Sequence, residues 1–480
     1  MMLEEILQEQ FGLPGFRPGQ KDIIENILAG NDTIAIMATG GGKSLCYQFP
    51  GTQLPGLIIV ITPIISLMAD QVRRLHELNI SAGYLSSAKS KEEQKKDLSE
   101  LEKGHYKFIL ISPERLESKA FLKAIEKQKI GLLTVDEAHC ISQWGHDFRP
   151  DYLNIGKFRK KTGFPPCIAL TGTATERVEK EIAHFLRMTS SKTFKSSFNR
   201  SNLRYLVYQE KSTIDKLDKL RWLLEYLNGC GIIYCATRKE VEYISNILNK
   251  WELQCIPYHA GLDPDIRTLN QELWISGKIP LITATNAFGM GIDKPDVRFV
   301  IHFSMSSSME NYYQEAGRAG RDGDPSLCIA LNSEEDERKV EIIQKLTDIN
   351  PLHSDEHKKH LREMADSCEK YLKKNLCRRR LILDYFKEGY PPKNCKNCDI
   401  CLKKMRHSDY SMLTFSSTEN DTQVKHFRQY SRDETAVLLR ENIPVKNIRN
   451  GVFDAENYLI RLLRSYGNEN DAVKKALKLK

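Results

Sequence analysis

What most constrains the fold of this chain is a rhythm of short β-rich runs and longer helical patterns that occurs twice. In the first pass, strands are predicted at 33–37, 57–62, 108–112, 132–135 and 168–171, with helices over 21–28, 66–78 and 91–102. Strand, helix and strand at this spacing imply βαβ units and a parallel sheet. The pattern restarts after residue 209, with strands at 231–234, 254–258, 281–283, 299–302 and 327–331 and helices over 215–227, 239–251 and 265–275. Two tandem α/β domains, joined near 205–216, account for this most simply. From about 333 the chain turns to charged helix, SEEDERKVEIIQKL and then HKKHLREMADSCEKYLKKN. Past Lys404 it is polar, with weak helical patterns near 434–442 and 454–465.

A length of 480 residues suits roughly three domains. Lys+Arg 71 against Asp+Glu 63 gives +8, which agrees with a polyanionic partner without establishing one. The opening MMLEEILQEQ is not a basic segment followed by an apolar core. The apolar run 56–69 is broken by Thr62, Pro63 and Ser66 and is too short to span a bilayer. These features point to a soluble intracellular protein with no membrane partner: cytoplasmic, and nucleoid-associated or nuclear according to the cell. In a reducing compartment, Cys46, Cys140, Cys167, Cys230, Cys235, Cys255, Cys328 and Cys368 read as buried small hydrophobes.

The acids Asp136 and Glu137 open the segment DEAHCISQWGHDFRPDY, directly after the apolar run 132–135. They therefore fall at the carboxyl end of a strand, where open α/β sheets bind ligands. One acid can hold Mg²⁺ while its neighbour positions or deprotonates a water. Trp144, His146, Phe148, Arg149 and Tyr152 follow; an aromatic, basic loop leaving a hydrolytic site can stack on bases and hold phosphates. Ordinary loop packing is the plainer alternative for these side chains.

Upstream, ATGGGKS (38–44) lies between a strand and a helix. Thr39, Gly40, Gly41 and Gly42 let backbone N–H groups cradle phosphates at the positive end of a helix. Lys43 would neutralise β/γ-phosphate oxygens and Ser44 would ligate Mg²⁺. Met37 stands where the GxxxxGK[ST] pattern has its first Gly. In FGLPGFRPGQ, Gln20 could pair with an adenine edge and Arg17 could stack on the ring, although each would pass as a surface residue in isolation. In YQEAGRAGRDG (313–323), Arg318 and Arg321 are candidates to reach a γ-phosphate from another domain. The small-residue run 284–293 ends in Asp293, which could contact the ribose or these arginines.

TGGGKS, DEAH, TGTAT and QEAGRAGR together resemble superfamily-two helicases. FRPGQ, ITPIISLMADQV, SPERL, SQWGHDFRPDY and NAFGMGIDKPDVRFVIH narrow the resemblance to the RecQ family of DNA helicases, over about residues 1–405. The resemblance implies two RecA-like lobes, 1–208 and 209–345, with ATP between them and single-stranded DNA across their top. It makes Glu137 the catalytic base, Asp136 and Ser44 the Mg²⁺ contacts, Arg321 the arginine finger and Arg318 a second γ-phosphate contact. It also implies 3′-to-5′ translocation, action on branched DNA in recombination and repair, and partners such as a single-stranded-DNA-binding protein and recombination factors. Leu13 stands where some relatives have an adenine-stacking aromatic, which leaves Arg17 as the main base contact.

Cys377, and after 17 residues Cys395, Cys398 and Cys401, supply four thiolates, the count for tetrahedral Zn²⁺. An iron–sulfur cluster and free thiols are the alternatives. Four thiolates leave no open position, so the metal is structural. The family's zinc subdomain is similar, and the resemblance implies a helical zinc-binding region over 346–407. Residues 408–480 leave room for a shortened winged helix or a small helical bundle, but not for both accessory domains of longer relatives. Two rival functions are an RNA helicase of the same superfamily and a protein that uses ATP only to clamp or remodel DNA.

Overall fold

The computed structural model describes residues 3–402, apart from 39, 87–88, 143, 146, 290–293, 350–353 and 393. The expectations for Thr39, His146, Asp293 and residues 408–480 lie outside the described residues.

The first sheet holds β1 (Asp32–Ile36), β2 (Leu57–Ile61), β3 (Ala82–Leu85), β4 (Phe108–Ile111), β5 (Ile130–Val135), β6 (Cys167–Thr171) and β7 (Ser191–Lys195). Their order is β3-β4-β2-β5-β6-β1-β7. The second sheet holds β8 (Leu203–Glu210), β9 (Cys230–Tyr234), β10 (Cys255–Tyr258), β11 (Leu281–Ala284), β12 (Val297–His302) and β13 (Ser326–Ser333), ordered β10-β11-β9-β12-β13-β8. Every ladder is parallel. Strands such as β2 (LIIVI) and β9 (CGIIY) are buried along their whole length, as helix-covered parallel strands must be. That is why they read as unbroken apolar runs. Local signals start the helices. Ser90 and Glu93 form a reciprocal capping box on Lys91–Glu102, and the hydroxyls of Thr175 and Ser308 cap Glu176–Phe185 and Met309–Ala316.

Each strand expected from the sequence forms, within a few residues at its ends, and β3, β7 and β8 add to them. β7 (SKTFK) is a half-exposed edge strand with no apolar run to mark it. β8 crosses the expected domain boundary at 208/209. It pairs with β13 from Leu203 to Glu210, so the connector between the sheets is the short stretch from Ser196 to Asn202. The boundary expected at 345/346 falls inside the helix Glu334–Ile349. Beyond it come the helices Asp355–Lys373, Arg378–Tyr385 and Asp399–Leu402.

Candidate nucleotide site, metal centre and aromatic loop

β1, β5 and β6 end on one edge of the first sheet, which brings the phosphate loop, the acid pair and Thr171 together. Gly40 and Gly42 have φ of 82° and 80°, which only glycine adopts without strain. Arg17 and Gln20 lie on this loop. Arg17 NH1 donates to Gly40 O (2.5 Å) and Gln20 Nε2 to Gly42 O (3.0 Å), while Gln20 Oε1 accepts from Arg17 N (2.8 Å). Gln20 is 2% exposed, so the amide expected to read adenine is here satisfying loop carbonyls.

Ser44 Oγ accepts from Gln71 Nε2 (3.0 Å), and Gln71 Oε1 accepts from Tyr47 OH (2.9 Å) and Gln48 Nε2 (2.7 Å). Lys43 Nζ sits 3.5 Å from Glu137 Oε1. Glu137 has φ 47° and ψ 46°, a left-handed conformation that costs a non-glycine residue about 1 kcal/mol. Its Oε2 is buried and accepts no hydrogen bond among the described residues, and the His139 Nδ1 lying 3.4 Å away is engaged by Thr171 Oγ1 at 3.0 Å. Strain and an unsatisfied acceptor at the same residue mark a position shaped for chemistry.

Asp136 is held by Thr62 Oγ1 (3.4 Å) and by the Glu137 backbone N–H (3.0 Å). Burial, and then the charge of Glu137, pushes its carboxyl above the usual carboxylate range, against the pull of Lys43. A buried acid whose ionisation is opposed in this way gains from a cation alongside. Asp136 and Ser44 therefore fit a divalent ion.

The second sheet sends the loop after Met309–Ala316 across to this edge. Arg321 Cγ lies 3.3 Å from where a Cβ on Gly40 would sit, so the second domain's arginine packs on the phosphate loop. Arg318 is 6% exposed and turned into its own domain, with NH2 3.0 Å from a Cβ position on Gly289. Its Nε has no hydrogen-bond partner among the described residues. A further link is the bond from Gln314 Nε2 to Thr173 Oγ1 (3.0 Å).

The sulfur atoms of Cys377, Cys395, Cys398 and Cys401 all lie within 4.8 Å of one another. Backbone N–H groups of Cys395 and Asn397 point at Cys401 Sγ and Cys395 Sγ, each at 3.4 Å. The donor set fits a tetrahedral Zn²⁺ with no open position.

Residues 17–182 match the DEAD/DEAH box helicase family, 215–323 the helicase conserved C-terminal domain and 336–402 the RecQ zinc-binding family. The ATP-dependent DNA helicase RecQ of Bacillus subtilis is 37% identical over 479 residues, covering 98% of this chain and 78% of that protein. The chain belongs to the RecQ family.

A second Bacillus subtilis relative, the probable ATP-dependent DNA helicase RecS, is 44% identical over 71% of this chain and 69% of its own length. The chain spans 43% of the Caenorhabditis elegans RecQ-like DNA helicase blm-1, to which it is 40% identical over 87% of its own length. Among solved structures, the helicase MrfA bound to DNA and AMPPNP aligns at TM-score 0.59 and 18% identity, over 72% of this chain and 53% of that one. Dbp5 of S. cerevisiae bound to RNA and ADP BeF3 aligns at 0.58 and 17%, over 76% and 97%. These two likenesses concern the fold alone. The four cysteines lie within the span of the RecQ zinc-binding match.

In this RecQ-family chain the far end of the aromatic loop is tied back to Asp136 and to the turn that follows the acid pair. Tyr152 OH donates to Asp136 O (2.9 Å), and Arg149 N donates to Cys140 O (2.9 Å). Trp144 is half-buried, with the Arg177 guanidinium 3.5 Å over its ring and the His360 ring edge-on at 5.2 Å. Arg177 also pairs with Glu356 at 2.8 Å, so Trp144 is packed against the helix Asp355–Lys373. Arg149 is bonded to Asp147 and Phe148 is half-buried. Sequence reading missed Gln71, His139, Thr173, Gln314 and Arg200. The first four lie inside or beside recognised motifs, and that adjacency was the available signal. Among the described residues, no helix is long and apolar enough to cross a membrane.

Proposed function

We propose that the chain is an ATP-dependent DNA helicase that translocates 3′-to-5′ on single-stranded DNA and opens duplex or branched DNA. The observation that carries this reading is the composite site: Lys43, Glu137 and the phosphate loop from one domain, with Arg321 of the other packed on Gly40. A site split between two domains makes domain closure depend on nucleotide, which is what directional movement on a strand requires.

Lys43 binds phosphate oxygens, Glu137 takes the proton of the attacking water, and Arg321 reaches the γ-phosphate, with Arg318 turning out to join it. Arg17 and Gln20 leave the loop carbonyls to meet the adenine. Mg²⁺, held by Asp136 and Ser44, supplies charge neutralisation for the phosphates. The family membership supports DNA as the substrate over RNA, and the intact Lys43, Glu137 and Arg321 argue against an inert clamp. Strand displacement decides: a 3′-tailed DNA duplex should be unwound with ATP, a 5′-tailed duplex and an RNA duplex should not. Equal unwinding of RNA, or ATP turnover with no displacement at all, would refute the reading.

Trp144, Phe148 and Arg149 carry the coupling. Single-stranded DNA draws Trp144 away from Arg177, and the loop passes that change through Tyr152 and the turn 138–141 to the acids. Trp144→Ala or Phe148→Ala should leave DNA-independent ATP turnover within about twofold. Stimulation by DNA should fall by about 10-fold or more, in line with a stacking contact of about 1–3 kcal/mol. Near-normal unwinding by both variants would sink this role.

A further inference from the structure

The connector between the two sheets carries one side chain whose contacts exceed what a linker needs. Arg200 NH1 donates to Gly317 O (3.1 Å), and its NH2 donates to Ala319 O (3.0 Å) and Gly320 O (2.8 Å). These carbonyls end the helix Met309–Ala316 and form the backbone of the loop bearing Arg318 and Arg321. A cation is favourable at a helix carboxyl end. The rigid guanidinium fork meets carbonyls spread across two nitrogens, a span that a lysine's single nitrogen does not cover. The same NH1 lies 3.7 Å from the Cβ position on Gly40, beside Arg321 Cγ at 3.3 Å. Arg200 thus stands where the connector, the phosphate loop and the arginine loop meet.

Its own backbone is held from the zinc-binding region. Arg379, two residues after the metal ligand Cys377, donates from NH1 to Asn199 Oδ1 and Arg200 O (2.6 Å each) and from NH2 to Leu203 O (2.6 Å). Asn397, between the ligands Cys395 and Cys398, donates to Ser201 O and Leu203 O at 3.1 Å each. On the other side of the connector, Glu388 accepts from the Phe198 N–H (2.6 Å), and the Phe198 and Phe386 rings stack at 4.3 Å. Both ends of Arg200 are therefore anchored, its main chain by the zinc-binding region and its side chain by the arginine loop.

We propose that Arg200 is a positioning residue for the hydrolytic reaction: it fixes the arginine loop over the phosphate loop, and so sets where Arg321 meets the γ-phosphate. It acts through the backbone carbonyls of the arginine loop. The inference rests on the reading of Arg321 as the γ-phosphate contact. It adds that the zinc-binding region, through Arg379 and Asn397, braces the residue that aims that contact.

The test is steady-state ATP turnover, with single-stranded DNA present, of the full chain carrying Arg200→Ala, Arg200→Lys, Arg321→Ala, or Arg200→Ala and Arg321→Ala together. Thermal melting and zinc content of each variant are measured alongside. A misplacement of about 1 Å can cost about 10²-fold in rate, so Arg200→Ala should lower kcat by about 10- to 10²-fold with the KM for ATP within about threefold. Arg200→Lys keeps the charge but loses the fork, and should fall between Arg200→Ala and the parent. The double variant should be no slower than Arg321→Ala alone, because the two losses are one loss.

Multiplying losses in the double variant would overturn the proposal, as would a raised KM with unchanged kcat. If Arg321→Ala is slow while Arg200→Ala turns over normally, the positioning role fails and the reading of Arg321 stands. If Arg321→Ala itself turns over normally, the reading of Arg321 fails, and the positioning role fails with it. Should Arg200→Ala not fold, Arg200→Lys decides: normal kcat in a folded, zinc-loaded protein is the overturning result.

Discussion

Arg321→Ala should lower the DNA-stimulated kcat for ATP by about 10³-fold or more, the loss expected when a transition-state guanidinium is removed. The side chain comes from the second domain and packs on Gly40 of the first, so its charge is delivered across the cleft rather than built into the nucleotide pocket. The contact strengthens as negative charge spreads over the transferred phosphoryl group. Rate should therefore suffer far more than ground-state affinity, and KM for ATP should stay within about fivefold. Steady-state kinetics at saturating single-stranded DNA check this. A fall in kcat smaller than about 10-fold, or a loss confined to KM, would remove Arg321 from the reaction.

Glu137→Gln is the second large effect. The replacement keeps the volume and a hydrogen-bonding group but cannot take a proton, so turnover should fall by about 10²–10⁴-fold. Lys43 lies 3.5 Å from the Glu137 carboxylate. Removing that charge leaves the ammonium fully available to phosphate, so Glu137→Gln should bind ATP at least as tightly as the parent while hydrolysing it poorly. Lys43→Ala should lose both binding and turnover. Equilibrium binding of a fluorescent ATP analogue beside kcat separates the two variants. Weakened nucleotide binding by Glu137→Gln would show that the glutamate acts as a structural support rather than as the base.

The parts of this site that announce themselves in the sequence are those where chemistry fixes residue type and spacing together. Gly40, Gly42, Lys43 and Ser44 must follow a strand, and Asp136 and Glu137 must end one, so their motifs identify the place without a structure. Arg200 has no such signature. Its role comes from three carbonyls contributed by residues more than a hundred positions away, and a polar connector reads as a linker. Gln71 is similar: it sits on a predicted helix, and its bond to Ser44 Oγ arises only because that helix packs beside the phosphate loop. Trp144 is legible as an aromatic in a significant loop, but its contacts with Arg177 and His360 depend on where the helices Glu176–Phe185 and Asp355–Lys373 lie. β8 (LRYLVYQE) carries charged and polar side chains at a sheet edge, where burial no longer writes an apolar run, so the strand that opens the second sheet has no signature of its own.

β8 also governs the order in which the protein can be completed as it is made. It is the first strand of its sheet in the chain, yet its ladder partner is β13, the last, so it waits for more than a hundred residues to be synthesised. Its outer edge waits longer still. The backbone bridge from Tyr205 to Cys398 and the bond from Val207 N to Asp399 Oδ2 (3.3 Å) cover that edge only once the cysteine knuckle has closed. An uncovered strand edge is a template for pairing with other chains. In a nascent chain short of zinc, that edge should stay open after the sheet itself is built, so zinc-starved chains should aggregate on synthesis more readily than zinc-supplied ones.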